Sequence, residues 1–163
     1  MRMLKVMTTA EKLVQLLIAK KLTCATAESC TGGGVGYSIT AVPGSSAVFK
    51  GGIISYDNEV KEHQLGVPQE ILSTFGAVSS ECAAKMAENV RNLMQSDLAV
   101  SVTGIAGPGG GSAEKPVGLV WFGISTKNET KTEKKLFSGD REAVRLASIE
   151  HALQLLDSAA DVK

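Results

Sequence analysis

The chain has 163 residues, 44% of them hydrophobic, with 17 basic and 17 acidic side chains. That length suits a single domain, residues 1–163, with a core large enough to need no disulfide or metal. The balanced charge gives no net pull toward nucleic acid or an anionic membrane, so neither is expected as a partner. Three cysteines, Cys24, Cys30 and Cys82, are odd in number and form no Cys-x-x-Cys pair, so they read as reduced thiols in a cytoplasmic protein. Two histidines, His63 and His151, stand far apart, so no metal site is expected. No apolar run nears the ~20 residues that span a bilayer. The apolar stretch Leu13 to Ala19 is interrupted by Gln15, so a signal peptide is not expected either.

In chain order, Thr8-Thr9-Ala10-Glu11 reads as a capping box, and Leu13, Val14, Leu17 and Ile18 fall on one face of a helix over 9–21. Thr23 to Glu28 reads as a short strand, Cys30 to Ala41 as a glycine-containing helix stopped by Pro43-Gly44, and Val48 to Tyr56 as a second strand. Asn58 is expected to cap a short helix ending near Gly66, and Pro68 to open another. Ser79 or Ser80 caps a helix to about Gln95, with Cys82, Met86, Val90 and Leu93 or Met94 on its buried stripe. Leu98 to Thr103 is a third strand, and residues 104–116 are a loop by their glycine and proline content. Val117 to Thr126 and Thr130 to Phe137 form a hairpin, followed by a helix from Arg141 to Leu156. Early alternation of strands and helices with a late hairpin predicts an α/β fold, a three-layer α/β/α sandwich around a mixed sheet.

The densest chemistry lies in Ala27-Glu28-Ser29-Cys30-Thr31-Gly32-Gly33-Gly34, where a hydroxyl and a thiol precede three glycines. Ser29 falls at a strand-to-helix turn, where N–H groups of the first helical turn point at the site. Serine needs a base to become a nucleophile. Neither histidine is well placed: His63 shares a short helix with Lys61 but faces elsewhere, and His151 sits among leucines of the last helix. Ser112-Ala113-Glu114-Lys115 matches a Ser-x-x-Lys signature, but Pro116 and the preceding glycines oppose the helix that signature requires. Lys61 lies in the first turn after Asn58, where the helix dipole disfavours a positive charge. A free lysine, with a pKa of about 10.4, is almost wholly protonated at neutral pH, so a lysine base must be buried or otherwise perturbed. Loop 104–111 lacks a P-loop ending but could nest a phosphate, and Arg141 and Arg145, one turn apart, could hold one or pair with neighbouring acids.

Several motifs occur together and in order: Ala27 to Gly33, Val42-Pro43-Gly44-Ser45-Ser46, Gly51-Gly52-Ile53-Ile54-Ser55-Tyr56 with Lys61, Gly76-Ala77-Val78-Ser79, and Thr103-Gly104-Ile105-Ala106-Gly107-Pro108. In this combination the chain resembles the nicotinamide-nucleotide amidohydrolase family, also called the CinA C-terminal domain family, over residues 9–156. The resemblance implies deamidation of nicotinamide mononucleotide to nicotinic acid mononucleotide and ammonia, without metal or organic cofactor. It implies Ser29 as nucleophile, Lys61 as base and Tyr56, with Thr103, as proton relay. It also implies a substrate site from Cys30, Thr31, Gly32, Gly33, Thr103, Gly104, Gly107 and Arg141. Two departures stand out: Gly34 stands where many relatives have a larger apolar residue, and no counterpart of the N-terminal domain that many of them carry is expected. A non-catalytic nucleotide-binding or partner-docking domain is the alternative, and a general serine hydrolase a third reading. Apolar residues on several helices would serve a core or a homodimer contact equally well.

Overall fold

The computed structural model describes residues 6–162. Helix α1 (Thr9–Lys20) starts at the Thr8/Glu11 capping box and ends where Lys21 turns left-handed. The remaining elements are β1 (Cys24–Glu28), α2 (Gly34–Thr40), a 3-10 turn at Ser45–Ala47, β2 (Phe49–Ile54), α3 (Asn58–His63), α4 (Gln69–Thr74), α5 (Ser80–Met94), β3 (Leu98–Gly104), β4 (Leu119–Ser125), β5 (Thr130–Leu136) and α6 (Arg141–Asp161).

The strands make one mixed sheet in the order β2-β1-β3-β4-β5, parallel across β2, β1 and β3 and antiparallel beyond. Strand β1 is buried along its whole length, and its side chains alternate between two cores. On one face Val100 and Val102 join Leu13 and Leu17 of α1, Val35 of α2 and Leu153 and Leu156 of α6. On the other, Ala25, Ala27 and Ala99 meet Cys82, Met86 and Val90 of α5. Each large aliphatic side chain so buried contributes roughly 1.5–3 kcal/mol. Helices therefore cover both faces, as the alternating pattern predicted.

The parallel strands bring the carboxyl ends of β1, β2 and β3 to one edge of the sheet. The ladder runs one residue past them: Ser29 N–H donates to Val102 O at 2.9 Å, and Ser55 N–H to Glu28 O at 2.7 Å. Chain direction diverges around β1, through α2 on one face and through α3 to α5 on the other. Such a switch point opens a crevice at the carboxyl end of the central strand.

Several boundaries differ from expectation. Helix α2 begins at Gly34, not Cys30, because Gly32 and Gly33 take φ of +58° and +99°, which no right-handed helix contains. Asp57, not Asn58, caps α3, its carboxylate accepting the Glu59 N–H at 2.8 Å. Strand β2 stops at Ile54, so Ser55 and Tyr56 belong to the following turn. Strand β4 starts at Leu119 and α6 runs on to Asp161. Of the two positions offered for the α5 stripe, Met94 packs on the core while Leu93 is exposed. Gly34 seats α2 against α6: a Cβ there would lie 2.4 Å from Ile149 Cδ1, so a larger residue requires Ile149 to move.

Candidate active site

Lys61 is the largest fully buried side chain among the described residues, 1% exposed. It reaches from α3 under the crevice, and its Nζ lies 2.9 Å from Ser29 Oγ, 2.7 Å from Ser55 O and 3.1 Å from Tyr56 O. Two of these partners are carbonyls and can only accept. A neutral amine has two N–H bonds and one lone pair. Its hydrogens suit the two carbonyls, which leaves the lone pair facing the serine hydroxyl. Burial pushes the Lys61 pKa down, against the opposing pull of Cys82, Cys30 and Asp57. Desolvation thus favours the uncharged form, and the three contacts accommodate it.

Ser29 and Lys61 open on a pocket of about 290 Å³, also lined by Cys30, Tyr56, Thr103, Gly104 and Arg141. Sequence reading missed Asn58, Ala77, Val78 and Ala106 on its walls. By sequence Asn58 reads as a cap, and Ala77, Val78 and Ala106 fall within the quoted motifs but carry no reactive side chain that would mark them as site residues. Thr31, Gly32, Gly33 and Gly107 are not among its lining residues. Thr31 instead donates its hydroxyl to Glu28 at 2.6 Å. Gly107 contributes through its carbonyl, which accepts from Arg141 Nη1 at 2.8 Å.

The turn carrying Ser29 is held from two sides. Glu28, 2% exposed, accepts the Val35 N–H at 2.8 Å and the Gly36 N–H at 3.0 Å, besides the Thr31 hydroxyl. A buried carboxylate thus occupies the α2 N-terminus, where the dipole favours an anion. Those first-turn N–H groups were expected to face the site and do not. Behind the turn, Arg145 donates from Nε to Cys30 O at 3.0 Å and from Nη2 to Thr31 O at 3.4 Å. Within it, Gly32 N–H goes to Ser29 O and Gly34 N–H to Thr31 O. The N–H groups of Cys30, Thr31 and Gly33 donate to no protein oxygen among the described residues.

At the rim, Tyr56 is 63% exposed and its hydroxyl accepts from Arg141 Nη2 at 3.2 Å. Tyr56 meets Lys61 through its carbonyl, not its hydroxyl. Thr103 is buried and donates to Ala77 O at 2.9 Å. Burial pushes the Cys30 thiol up to about 11, so it stays protonated at neutral pH beside the serine. The histidines lie elsewhere: His63 is exposed, and His151 pairs with Glu133 and stands edge-on to Phe122. Lys115 bonds Phe75 O, outside the pocket, so the Ser112–Lys115 match has no catalytic geometry. Among the described residues no cluster of three or more His, Cys, Asp or Glu could hold a metal, and no helix is long and apolar enough to cross a membrane.

Residues 6–160 match the CinA C-terminal domain. A CinA-like protein of Dictyoglomus turgidum is 51% identical over 146 residues, covering 90% of this chain and 36% of that protein. A putative competence-damage inducible protein of Caldanaerobacter subterraneus subsp. tengcongensis is also 51% identical, over 90% of this chain and 35% of its own length. The chain thus spans about a third of the curated relatives it matches. Among solved structures, a CinA superfamily protein from Klebsiella pneumoniae superposes with a TM-score of 0.91 at 31% identity, covering 95% of this chain and 97% of that one. The competence/damage inducible protein CihA from Agrobacterium tumefaciens gives 0.88 at 41% identity, covering 98% and 99%. Fold and sequence agree, and the chain belongs to the CinA C-terminal domain family.

Proposed function

We propose that this pocket hydrolyses the carboxamide of nicotinamide mononucleotide to nicotinic acid mononucleotide and ammonia. The observation that carries the reading is the buried Lys61 amine, 2.9 Å from Ser29 Oγ with its other two partners both carbonyls. Neutral Lys61 takes the Ser29 proton as the oxygen attacks the carboxamide carbon. The N–H groups of Cys30 and Thr31, which donate to no protein oxygen among the described residues, stabilise the oxyanion. The Lys61 ammonium, next to the reacting centre, then returns its proton to the departing nitrogen. Ammonia leaves and an acyl-Ser29 ester remains. Water, deprotonated by Lys61, cleaves the ester and restores the hydroxyl.

In this reading the Tyr56 hydroxyl and Arg141 hold the rim, where Arg141 supplies positive charge for the phosphate. Here Lys61 returns the proton itself, so Tyr56 is given no relay step, and its hydroxyl accepts from Arg141 Nη2. The pyridinium ring of the substrate carries a positive charge, which activates its carboxamide and further disfavours a protonated Lys61.

Ammonia release from nicotinamide mononucleotide tests the reading. Wild type should turn over, and Ser29→Ala should fall below about a thousandth of that rate. Cys30→Ala should keep most activity, since its thiol stays neutral. An active Ser29→Ala with a dead Cys30→Ala assigns the wrong nucleophile. Tight binding without ammonia would favour the non-catalytic alternative.

A further inference from the structure

We propose that Arg145 is a positioning residue that orients the oxyanion-binding backbone of the Ser29 turn from behind, an inference that rests on the amide-hydrolysis reading above. Its guanidinium donates to Cys30 O at 3.0 Å and Thr31 O at 3.4 Å. In a trans, planar peptide the carbonyl and the following N–H point in opposite directions. Anchoring Cys30 O on α6 therefore turns the Thr31 N–H away from the guanidinium. That N–H has no protein oxygen as acceptor among the described residues, and although Thr31 does not itself line the pocket, the Cys30 whose carbonyl shares its peptide does. A full positive charge at the carbonyl end also polarises the peptide and strengthens its N–H as a donor.

Two further observations separate Arg145 from a substrate ligand. Arg141, one turn earlier on α6, lines the pocket, whereas Arg145 does not. Gly32, at φ +58°, brings its backbone so close that an ideal Cβ would stand 3.4 Å from Arg145 Nη2. The fork thus reaches both carbonyls over a position without a side chain. Its influence on the reacting carbon passes through the Cys30–Thr31 peptide, not through direct contact.

The test compares wild type, Arg145→Met and Arg145→Lys by kcat and KM for nicotinamide mononucleotide. A second readout is affinity for a small boronic acid, which adds to the Ser29 oxygen as a tetrahedral anion. Thermal unfolding checks that each variant folds. Arg145→Met should lower kcat about tenfold to a hundredfold, somewhat less than deleting an oxyanion donor outright. KM should move by less than about threefold, because ground-state binding is untouched. Boronate affinity should fall by the same factor as kcat, and Arg145→Lys, with one donor group, should recover part of both. A raised KM with kcat intact would make Arg145 a substrate ligand and overturn the proposal, as would unchanged boronate affinity in folded Arg145→Met. If Arg145→Met does not fold, wild-type boronate affinity in Arg145→Lys overturns it and an intermediate value supports it. A wild type that binds boronate but releases no ammonia overturns the substrate reading instead, and the variants' boronate affinities then decide the Arg145 proposal alone.

Discussion

The two ends of the sheet carry two different cavities. The larger, about 380 Å³, lies at the amino ends of β1 and β3, with Leu98, Phe122, Ile124 and Leu155 on its walls and Lys127 and Lys131 among its polar residues. The smaller, about 290 Å³, lies at the carboxyl ends and holds the Ser29–Lys61 pair. A buried amine is costly unless something uses or satisfies it, and here two carbonyls and a hydroxyl converge on it. The proposed chemistry therefore draws on the end where the fold buries an amine, not on the end that leaves the most space.

Substitutions at the two ends should separate accordingly. The largest effect belongs to Lys61→Met, which keeps the stem and removes the base. Ammonia release should fall about a thousandfold. The same variant changes the pH dependence of stability. Burial lowers the Lys61 pKa below its ordinary 10.5 in the folded chain, so between those two values the unfolded chain binds more protons. Wild-type stability should gain from this group as pH rises through that window, and the gain should vanish in Lys61→Met. Urea titrations at a series of pH values read the slope directly.

Glu28→Gln should come next. The carboxylate takes two N–H groups, from Val35 and Gly36, on two oxygens. A glutamine offers one oxygen and turns an NH2 toward a donor. Loss of that match in a buried site should cost about 2–4 kcal/mol. For a chain of this size that lowers Tm by about 5–15 °C in a calorimetric scan. The smallest effect is expected at the larger cavity: Ser158→Trp, placed on an exposed lining position there, should change kcat/KM less than about twofold. A strong loss of turnover in Ser158→Trp would break the contrast between the two ends.

Periodicity and caps made much of the fold legible. The Thr8/Glu11 box, the α5 stripe and the late hairpin all followed from side-chain identity, and they sufficed for a mixed sheet with helices on both faces. What stayed hidden depends on backbone direction and on distance across the chain. Local residues mark Ser29 as a candidate nucleophile and Lys61 as a candidate base, but their contact is not legible, because they stand 32 positions apart with a strand between them. That Ser55 and Tyr56 offer carbonyls to the amine is invisible in a sequence, since every residue has one. By sequence Glu28 is marked only by its place at a strand end. Its role appears only once Gly32 and Gly33 have swung the chain so that α2 begins over the carboxylate. Asp57 and Asn58 are equally good caps by type, and only geometry chose between them.

The account depends on an uncharged Lys61. Selective 13Cε labelling of lysine, with Lys61 assigned by its absence in Lys61→Met, allows its protonation to be followed by NMR against pH. The account predicts a Lys61 resonance that titrates below the ordinary 10.5, with turnover rising through the same midpoint. A Lys61 that titrates at or above 10.5 would be an ammonium at working pH, which would contradict its role as the base for Ser29.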